Sequence, residues 1–188
     1  MIHWHLYSLI FRLKSTAKIR IFSHSTKIFC PRHGKMVLLQ LVMIDNKDIQ
    51  TRENEGRREV LDPVRRRWVA LTPEEGVRQW VIGLLHNHYG YPLELMQVEG
   101  AITVNGMTRR CDIVVYDTTG APRIIVECKK PDVAITQKVC DQACRYNTVL
   151  RVPYLVLTNG KQMVTVEVDF AQGALRQLRE PPYNAKNS

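Results

Sequence analysis

The segment Arg123-Ile-Ile-Val-Glu-Cys-Lys129 decides the fold, because it joins an apolar run to a carboxylate and a lysine two residues apart. Successive side chains on a β-strand point to opposite faces of the sheet. Glu127 and Lys129 should therefore share one face at the end of a buried strand. Cys128, between them, should point the other way and pack in the core as a small hydrophobic side chain.

A second apolar run, Asp112-Ile-Val-Val-Tyr116, precedes this strand, and the turn-rich link Thr118–Ala121 joins the two. The pattern predicts an antiparallel hairpin. With a four-residue loop, Asp112 lies opposite Glu127 and both carboxylates project to the face of Lys129, whereas a slip of one residue would reverse Asp112. Two carboxylates and a lysine that converge in this way are typical of phosphodiester hydrolysis with a divalent metal.

A pair of side chains on the next predicted helix extends the pattern. Gln142 and Tyr146 are four residues apart and so share one helix face. With this pair, the chain resembles the PD-(D/E)xK nuclease superfamily, and within it the stand-alone relatives of the N-terminal nuclease domain of type I restriction enzyme R subunits. The matching segments, between about Asp62 and Gly160, are Thr72–Glu75, Val77–Gln79, Arg110–Asp112, Glu127–Pro131, Gln142–Asn147 and Leu157–Gly160. One departure from the pattern is that no proline precedes Asp112.

The resemblance implies a restriction-endonuclease-like α/β fold, a mixed β-sheet flanked by helices, and a metal-dependent DNA phosphodiesterase. The expected activity is that of a Mg²⁺-dependent deoxyribonuclease of the endonuclease type, with Mn²⁺ as the alternative ion. The catalytic residues would be Asp112, Glu127, Lys129 and Gln142, with Glu74 and Tyr146 in accessory roles. The metal ligands would be Asp112, Glu127, the backbone carbonyl of Cys128, and Glu74. Lys129 would orient the attacking water, with an amine that its surroundings can tune toward base behaviour.

The choice of Glu74 over Glu75 as the accessory ligand follows from helix geometry. The segment Thr72-Pro-Glu-Glu75 is typical of a helix start, with Thr72 as the N-cap and Glu75 completing a capping box. That interaction would occupy the Glu75 carboxylate. Glu74 instead continues the apolar stripe that begins at Val77 and should face the sheet.

The same residues leave a second function open, namely a non-catalytic module that binds nucleic acid or protein, because a fold alone does not establish activity. The sequence contains no P-loop of a helicase motor. We therefore expect the partners to be DNA and a helicase or specificity subunit on another chain. The basic cluster Arg65-Arg66-Arg67, with Lys129, Lys130 and Lys138, could line a phosphate groove, or its arginines could form a solvated surface run.

Charge is distributed unevenly along the 188 residues. The 27 Lys and Arg exceed the 18 Asp and Glu, which gives a formal net charge of +9. Residues 1–35 hold seven of the basic residues and none of the acidic ones, so the rest of the chain is nearly neutral and does not steer DNA by net charge. We expect residues 1–35 to be a basic extension, disordered or upstream of a native start at Met36. Residues 36–180 should form a single nuclease-like domain, and residues 181–188 should fray.

Cysteine usage indicates a reducing compartment. Five cysteines without a C-x-x-C pair fit neither a disulfide scaffold nor a zinc site. The apolar residues near the N-terminus are interrupted by polar ones and are too few to span a bilayer. We therefore expect a cytoplasmic protein that makes no contact with membranes.

The remaining patterns predict the order of the elements. A strand at Leu38–Ile44 and a short N-terminal β-hairpin extension, Arg58–Leu61 with Arg67–Leu71, should precede a helix that runs to about His88. Three strands should follow, with a turn at Asn105-Gly106. A helix at 136–150 and the strands Tyr154–Thr158 and Gln162–Val168 should complete a mixed sheet with helices on its faces.

Overall fold

The computed structural model describes residues 28–29, 36–37, 49–104 and 107–184, although not the side chains of 28–29, 36–37, 101–109, 141, 145–146 and 148–150. Two short strands near the N-terminus, β1 (Ile28–Phe29) and β2 (Met36–Val37), pair with each other. The strand expected at Leu38–Ile44 and the turn expected at Asn105-Gly106 lie outside the described residues.

A three-stranded antiparallel sheet precedes the main fold. Its strands are β3 (Thr51–Asn54), β4 (Arg57–Asp62) and β5 (Arg67–Ala70), in that order. The predicted hairpin corresponds to β4 and β5 and is confirmed. The additional strand, β3, pairs with β4 on its other edge.

A six-stranded mixed sheet forms the centre of the molecule. Its strands are β6 (Met96–Val104), β7 (Met107–Tyr116), β8 (Pro122–Cys128), β9 (Tyr154–Thr158), β10 (Met163–Asp169) and β11 (Ala174–Leu178). They lie in the order β11-β10-β9-β8-β7-β6, with β8 parallel to β9 and the other neighbouring pairs antiparallel. A parallel pair needs a crossover connection, which helix α2 (Gln137–Leu150) supplies.

Helix α1 (Pro73–Asn87) covers one face of this sheet and α2 covers the other, so β8 is buried on both faces. On the α1 side, Val126 and Cys128 pack with Val81 of the helix. On the α2 side, Ile125 packs with Ala143. Cys128 is fully buried in the α1-side core, which confirms that it faces away from Glu127.

The predicted β7–β8 hairpin is present, with Ile113 paired to Val126 and Val114 paired to Ile125. The paired register ends one residue before Asp112 and Glu127, and it shifts between Val115 and Tyr116. The connecting turn is closed by Asp117, whose backbone N–H donates to the carbonyl of Ala121 at 2.8 Å. The expected restriction-endonuclease-like α/β fold, with its N-terminal β-sheet extension, is confirmed.

The segment Pro181–Asn184 is bound to the end of α1 rather than frayed. The backbone N–H of Asn184 donates to the Tyr89 carbonyl at 2.9 Å, and the Tyr91 hydroxyl donates to the Pro182 carbonyl at 3.0 Å. The expectation of a frayed tail is therefore wrong for these four residues, because backbone and aromatic partners satisfy their polar groups. Residues 185–188 lie outside the described residues.

Within the part of the chain that the structure describes, no helix is long and apolar enough to cross a membrane.

Asn147 joins the end of α2 to the start of β9 and gives the first testable prediction. Its Nδ2 donates to the Val152 carbonyl at 3.0 Å, and the Val152 N–H donates to its Oδ1 at 2.7 Å. Because all these groups are buried, Asn147→Ala leaves two backbone groups unsatisfied and should lower the free energy of unfolding by about 2–4 kcal/mol. Urea denaturation measures this loss. Asn87→Ala, at the exposed end of α1, is the matched control and should change stability far less.

Candidate active site

Asp112 and Glu127 come together where β7 and β8 run side by side. Asp112 Oδ2 accepts a hydrogen bond from the Cys128 backbone N–H at 2.7 Å, so its carboxylate is fixed against the strand that carries Glu127. Glu127 Oε1 accepts hydrogen bonds from Lys129 Nζ at 2.6 Å and from Gln142 Nε2 at 2.9 Å. Four of the side chains expected in the site, Asp112, Glu127, Lys129 and Gln142, therefore form one cluster.

Like charges meet in this cluster. Burial raises the pKa of Glu127 above its usual value, and the nearby Asp112 charge raises it further, while the hydrogen bond from Lys129 acts in the opposite direction. The Glu127 side chain is only 4% exposed. Burial beside a second carboxylate therefore disfavours the ionised form of Glu127, and a bound cation would favour it.

Lys129 is a charged amine in this arrangement. Burial lowers its pKa, but the hydrogen bond to Glu127 and the charges of Glu127 and Asp112 outweigh that effect, so its pKa is raised. The direction is the opposite of a lysine tuned toward a base. Lys129 thus brings a proton and a positive charge to the mouth of the site, where its side chain is 22% exposed.

Helix α2 supplies Gln142 to the cluster from the face opposite α1. The helix begins after Thr136 and ends at Arg151, whose left-handed backbone turns the chain into β9. Tyr146 lies on the same helix, but its side chain is outside the described residues. Of the predicted Gln142 and Tyr146 pair, the structure therefore describes only the contact that Gln142 makes with Glu127.

Glu74 and Glu75 have different surroundings from those expected. Thr72 caps the helix, since its hydroxyl accepts from the Glu75 N–H at 3.1 Å. The prediction of a capping box is wrong, because the Glu75 carboxylate binds the guanidinium groups of Arg65 and Arg78 and does not accept a hydrogen bond from the Thr72 backbone N–H. Glu74 is 44% exposed and lies close enough to the cluster to raise the pKa of Glu127.

A buried ion network, which few features of the sequence predict, extends from the cluster to the three-stranded sheet. Asp62 is fully buried and accepts from Arg65 Nε at 2.7 Å and from Gln79 Nε2 at 2.8 Å. Arg65 Nη1 donates to Glu99 at 2.7 Å. The segment Val77-Arg-Gln79, already part of the family pattern, was the available signal, because two polar residues interrupt the apolar helix face.

The basic cluster of the sequence divides between two environments. Arg65 is largely buried in this network, whereas Arg66 and Arg67 are exposed. Lys130 pairs with Asp132 at 3.0 Å on the surface. Arg65 therefore does not line a phosphate groove, while the other two arginines form a solvated run.

The donor atoms suit a hard divalent ion, which prefers carboxylate and carbonyl oxygens. Of the two carboxylate oxygens of Glu127, only Oε1 is engaged by a described side chain. Among the side chains that the structure describes, however, no three of His, Cys, Asp or Glu lie close enough together to hold a metal ion. A metal here would need Asp112, Glu127 and backbone or water oxygens, which is sufficient for Mg²⁺.

The fold and the cluster define a restriction-endonuclease-like domain, in which a helix, three antiparallel strands, a second helix and a further strand bring the acidic pair and the lysine together. The chain belongs to the family of the type I restriction enzyme R protein N terminus, whose model matches residues 73–182. It is thus a type I R-subunit N-terminal nuclease-like domain. The three-stranded sheet precedes the matched region.

Among solved structures, the chain is similar to a fragment described as an HsdR subunit of a type I restriction enzyme from Vibrio vulnificus. The two share 20% sequence identity with a TM-score of 0.47, and the match covers 61% of this chain and 24% of that chain. The chain thus spans about a quarter of that protein's length. No curated protein matches it significantly.

The raised pKa of Glu127 predicts a stability change that depends on pH. At a pH above its folded-state pKa, the ionised carboxylate costs stability, and this cost disappears as the pH falls through that pKa toward the usual 4.5. Glu127→Gln removes the charge, so the metal-free variant should melt higher than the wild type at pH 8, by about a few degrees. The gain should shrink as the pH approaches 4.5. Thermal melts in EDTA test this, with the exposed Glu94→Gln as the control.

Proposed function

We propose that this chain is a metal-dependent endonuclease domain that hydrolyses DNA phosphodiester bonds with water. The observation that carries the proposal is the convergence of Asp112, Glu127, Lys129 and Gln142 in one polar cluster of a domain that belongs to the R-subunit family. Asp112, Glu127, the Cys128 carbonyl and Glu74 are the proposed ligands of Mg²⁺, or of Mn²⁺ in its place. A bound divalent ion would polarise the phosphoryl oxygen and acidify the attacking water.

Lys129 has the role of positioning the water and stabilising negative charge. Its ammonium group already lies 2.6 Å from Glu127 and carries a raised pKa, so it remains protonated at neutral pH. During hydrolysis, the water oxygen forms a bond to phosphorus and the bond to the leaving 3′ oxygen breaks. A fixed ammonium group at the reacting phosphate lowers the barrier by opposing the charge that develops there.

Gln142 has a supporting role, because it holds the same Glu127 oxygen as Lys129 and so fixes the orientation of that carboxylate. Tyr146, four residues further along α2, is proposed to contact the DNA strand or to support the site. Glu74 is the proposed accessory ligand, because its carboxylate is 44% exposed and lies 3.8 Å from Arg78 Nη2, the atom that also binds Asp112.

The proposed partners are DNA and the other subunits of a type I restriction enzyme, in which a helicase or specificity subunit would deliver the substrate. The proposed location is therefore the cytoplasm, where the DNA of such a system lies.

A second candidate function is a non-catalytic module that binds nucleic acid or protein. The observation that favours it is that both carboxylates of the cluster already have cationic partners, Arg78 for Asp112 and Lys129 for Glu127. Purified protein incubated with supercoiled, linear and single-stranded DNA in Mg²⁺, Mn²⁺ or EDTA separates the two. Cleavage that depends on the metal supports the nuclease, whereas DNA binding without cleavage supports the module.

Neighbouring lysines provide a matched test of the chemistry. Lys129→Ala should retain Mn²⁺ binding and lose cleavage by at least about 100-fold, because it removes the positioned ammonium group. Lys130→Ala removes an adjacent charge that is paired on the surface with Asp132, and should leave the rate within about threefold, a difference of roughly 0.6 kcal/mol in the barrier. Initial rates on supercoiled DNA measure both. A Lys129→Ala rate as high as that of the control would favour the binding module.

Metal binding should also be visible without any DNA. Because a ligand that binds only the folded state stabilises it by mass action, Mn²⁺ should raise the melting temperature of the wild type. Asp112→Ala should abolish this shift, whereas Asp132→Ala, which removes an exposed carboxylate, should retain it. Differential scanning calorimetry over a Mn²⁺ series tests the difference. An equal shift in the wild type and Asp112→Ala would place the metal elsewhere.

A further inference from the structure

Arg78 contacts Asp112 directly, and although it lies in the matching segment Val77–Gln79, it was not among the expected site residues. Its Nη2 donates to Asp112 Oδ1 at 2.8 Å, and its Nη1 donates to Glu75 Oε2. The side chain is only 7% exposed. Each oxygen of Asp112 therefore has a fixed partner, Arg78 on one side and the Cys128 N–H on the other.

The charge of Arg78 is permanent. Burial acts to lower its pKa, but the hydrogen bond and the charge of Asp112, together with the charge of Glu75, outweigh it and raise the pKa further. Its Nε is buried and has no hydrogen-bond partner among the described residues. One hydrogen bond of the guanidinium group, that of Nε, is therefore not formed with the described residues. The terminal nitrogens Nη1 and Nη2 connect Glu75 on α1 to Asp112 on β7.

Arg78 and Lys129 each pair with one carboxylate of the cluster. The ion pair is 2.8 Å long for Arg78 and Asp112 and 2.6 Å long for Lys129 and Glu127. In the metal-free protein these four groups sum to no net charge. A divalent ion that binds Asp112 must therefore lie close to the guanidinium group of Arg78, which stays positively charged.

We propose that Arg78 is a positioning residue that acts as the resident counter-ion of Asp112, so that it orients this carboxylate and weakens the binding of a metal in the absence of DNA. The inference rests on the proposed metal site. Its consequence is that a metal ion bound beside Arg78 and Lys129 leaves a surplus of positive charge. A phosphodiester, which is an anion, would balance that surplus and increase the affinity for the metal.

Arg65 provides the matched control. It is also a largely buried arginine that pairs with Glu75, but its other partners are Asp62 and Glu99 rather than Asp112. Removal of either arginine leaves Glu75 without one cation and should destabilise the fold. Only the removal of Arg78 takes away the cation that is paired with Asp112.

The experiment measures the affinity of the full chain for Mn²⁺ without DNA, by titration calorimetry or by the electron paramagnetic resonance signal of free Mn²⁺. Arg78→Gln keeps a hydrogen-bond donor and removes the charge, so it should bind Mn²⁺ about tenfold tighter than the wild type, because a repulsive charge next to the ion is gone. Arg78→Lys, which keeps the charge, and Arg65→Gln should both bind as the wild type does. If Arg78→Gln does not fold, Arg78→Met takes its place. It too lacks the charge and should bind Mn²⁺ more tightly than the wild type.

Tighter binding distinguishes this role from a purely structural one, since a destabilised fold can only weaken the site. Arg78→Gln or Arg78→Met that binds Mn²⁺ equally to or more weakly than the wild type overturns the inference but leaves the metal site in place. Absence of Mn²⁺ binding by the wild type and all variants overturns the proposed metal site as well. Addition of duplex DNA should increase the wild-type affinity more than that of Arg78→Gln.

Discussion

The closeness of two carboxylates, one buried and one partly buried, is the constraint on which the rest of the structure depends. Asp112 and Glu127 lie on adjacent strands, where burial and the charge of Asp112 disfavour the ionised form of Glu127. Each charge is tolerated only because a cation and a hydrogen-bond donor reach it. The donors come from three separate elements: α1 for Asp112, α2 for Glu127, and the end of β8 for both. Both helices must therefore pack correctly on the sheet before the acidic pair can form.

The same requirement explains the buried polar residues of α1. A helix that packs on a sheet ordinarily presents an apolar stripe, and Val77 and Val81 provide it. Arg78 and Gln79 interrupt this stripe because they connect Glu75 to Asp112 and to Asp62 of the three-stranded sheet. The small sheet is thereby part of the support of the site, although it precedes the region that matches the family. The network thus ties α1 to both sheets, although Arg78 Nε within it has no hydrogen-bond partner among the described residues.

The elements around the site could be predicted because their signals are local. Alternation in β8 and the helix period of α2 depend on neighbouring residues, so the hairpin, its register and the facing of Cys128 were all correct. The edge strands β3 and β11 were missed because their exposed, polar residues carry no apolar alternation. The destination of the Glu75 carboxylate was wrong because its partners, Arg65 and Arg78, compete with the helix cap only after the chain has folded. Long-range pairing of this kind leaves no periodicity in the sequence.

The attachment of Pro181–Asn184 to the end of α1 makes that helix a mechanical element. Asn184 and Pro182 are hydrogen-bonded to Tyr89 and Tyr91, just beyond the last turn, while the first two turns hold Glu75 and Arg78. The helix has 15 residues and is therefore about 22 Å long. A pull on the carboxyl-terminal segment therefore loads α1 along its length. Tension applied far from the acidic pair would reach Asp112 as a change in the position of one guanidinium group.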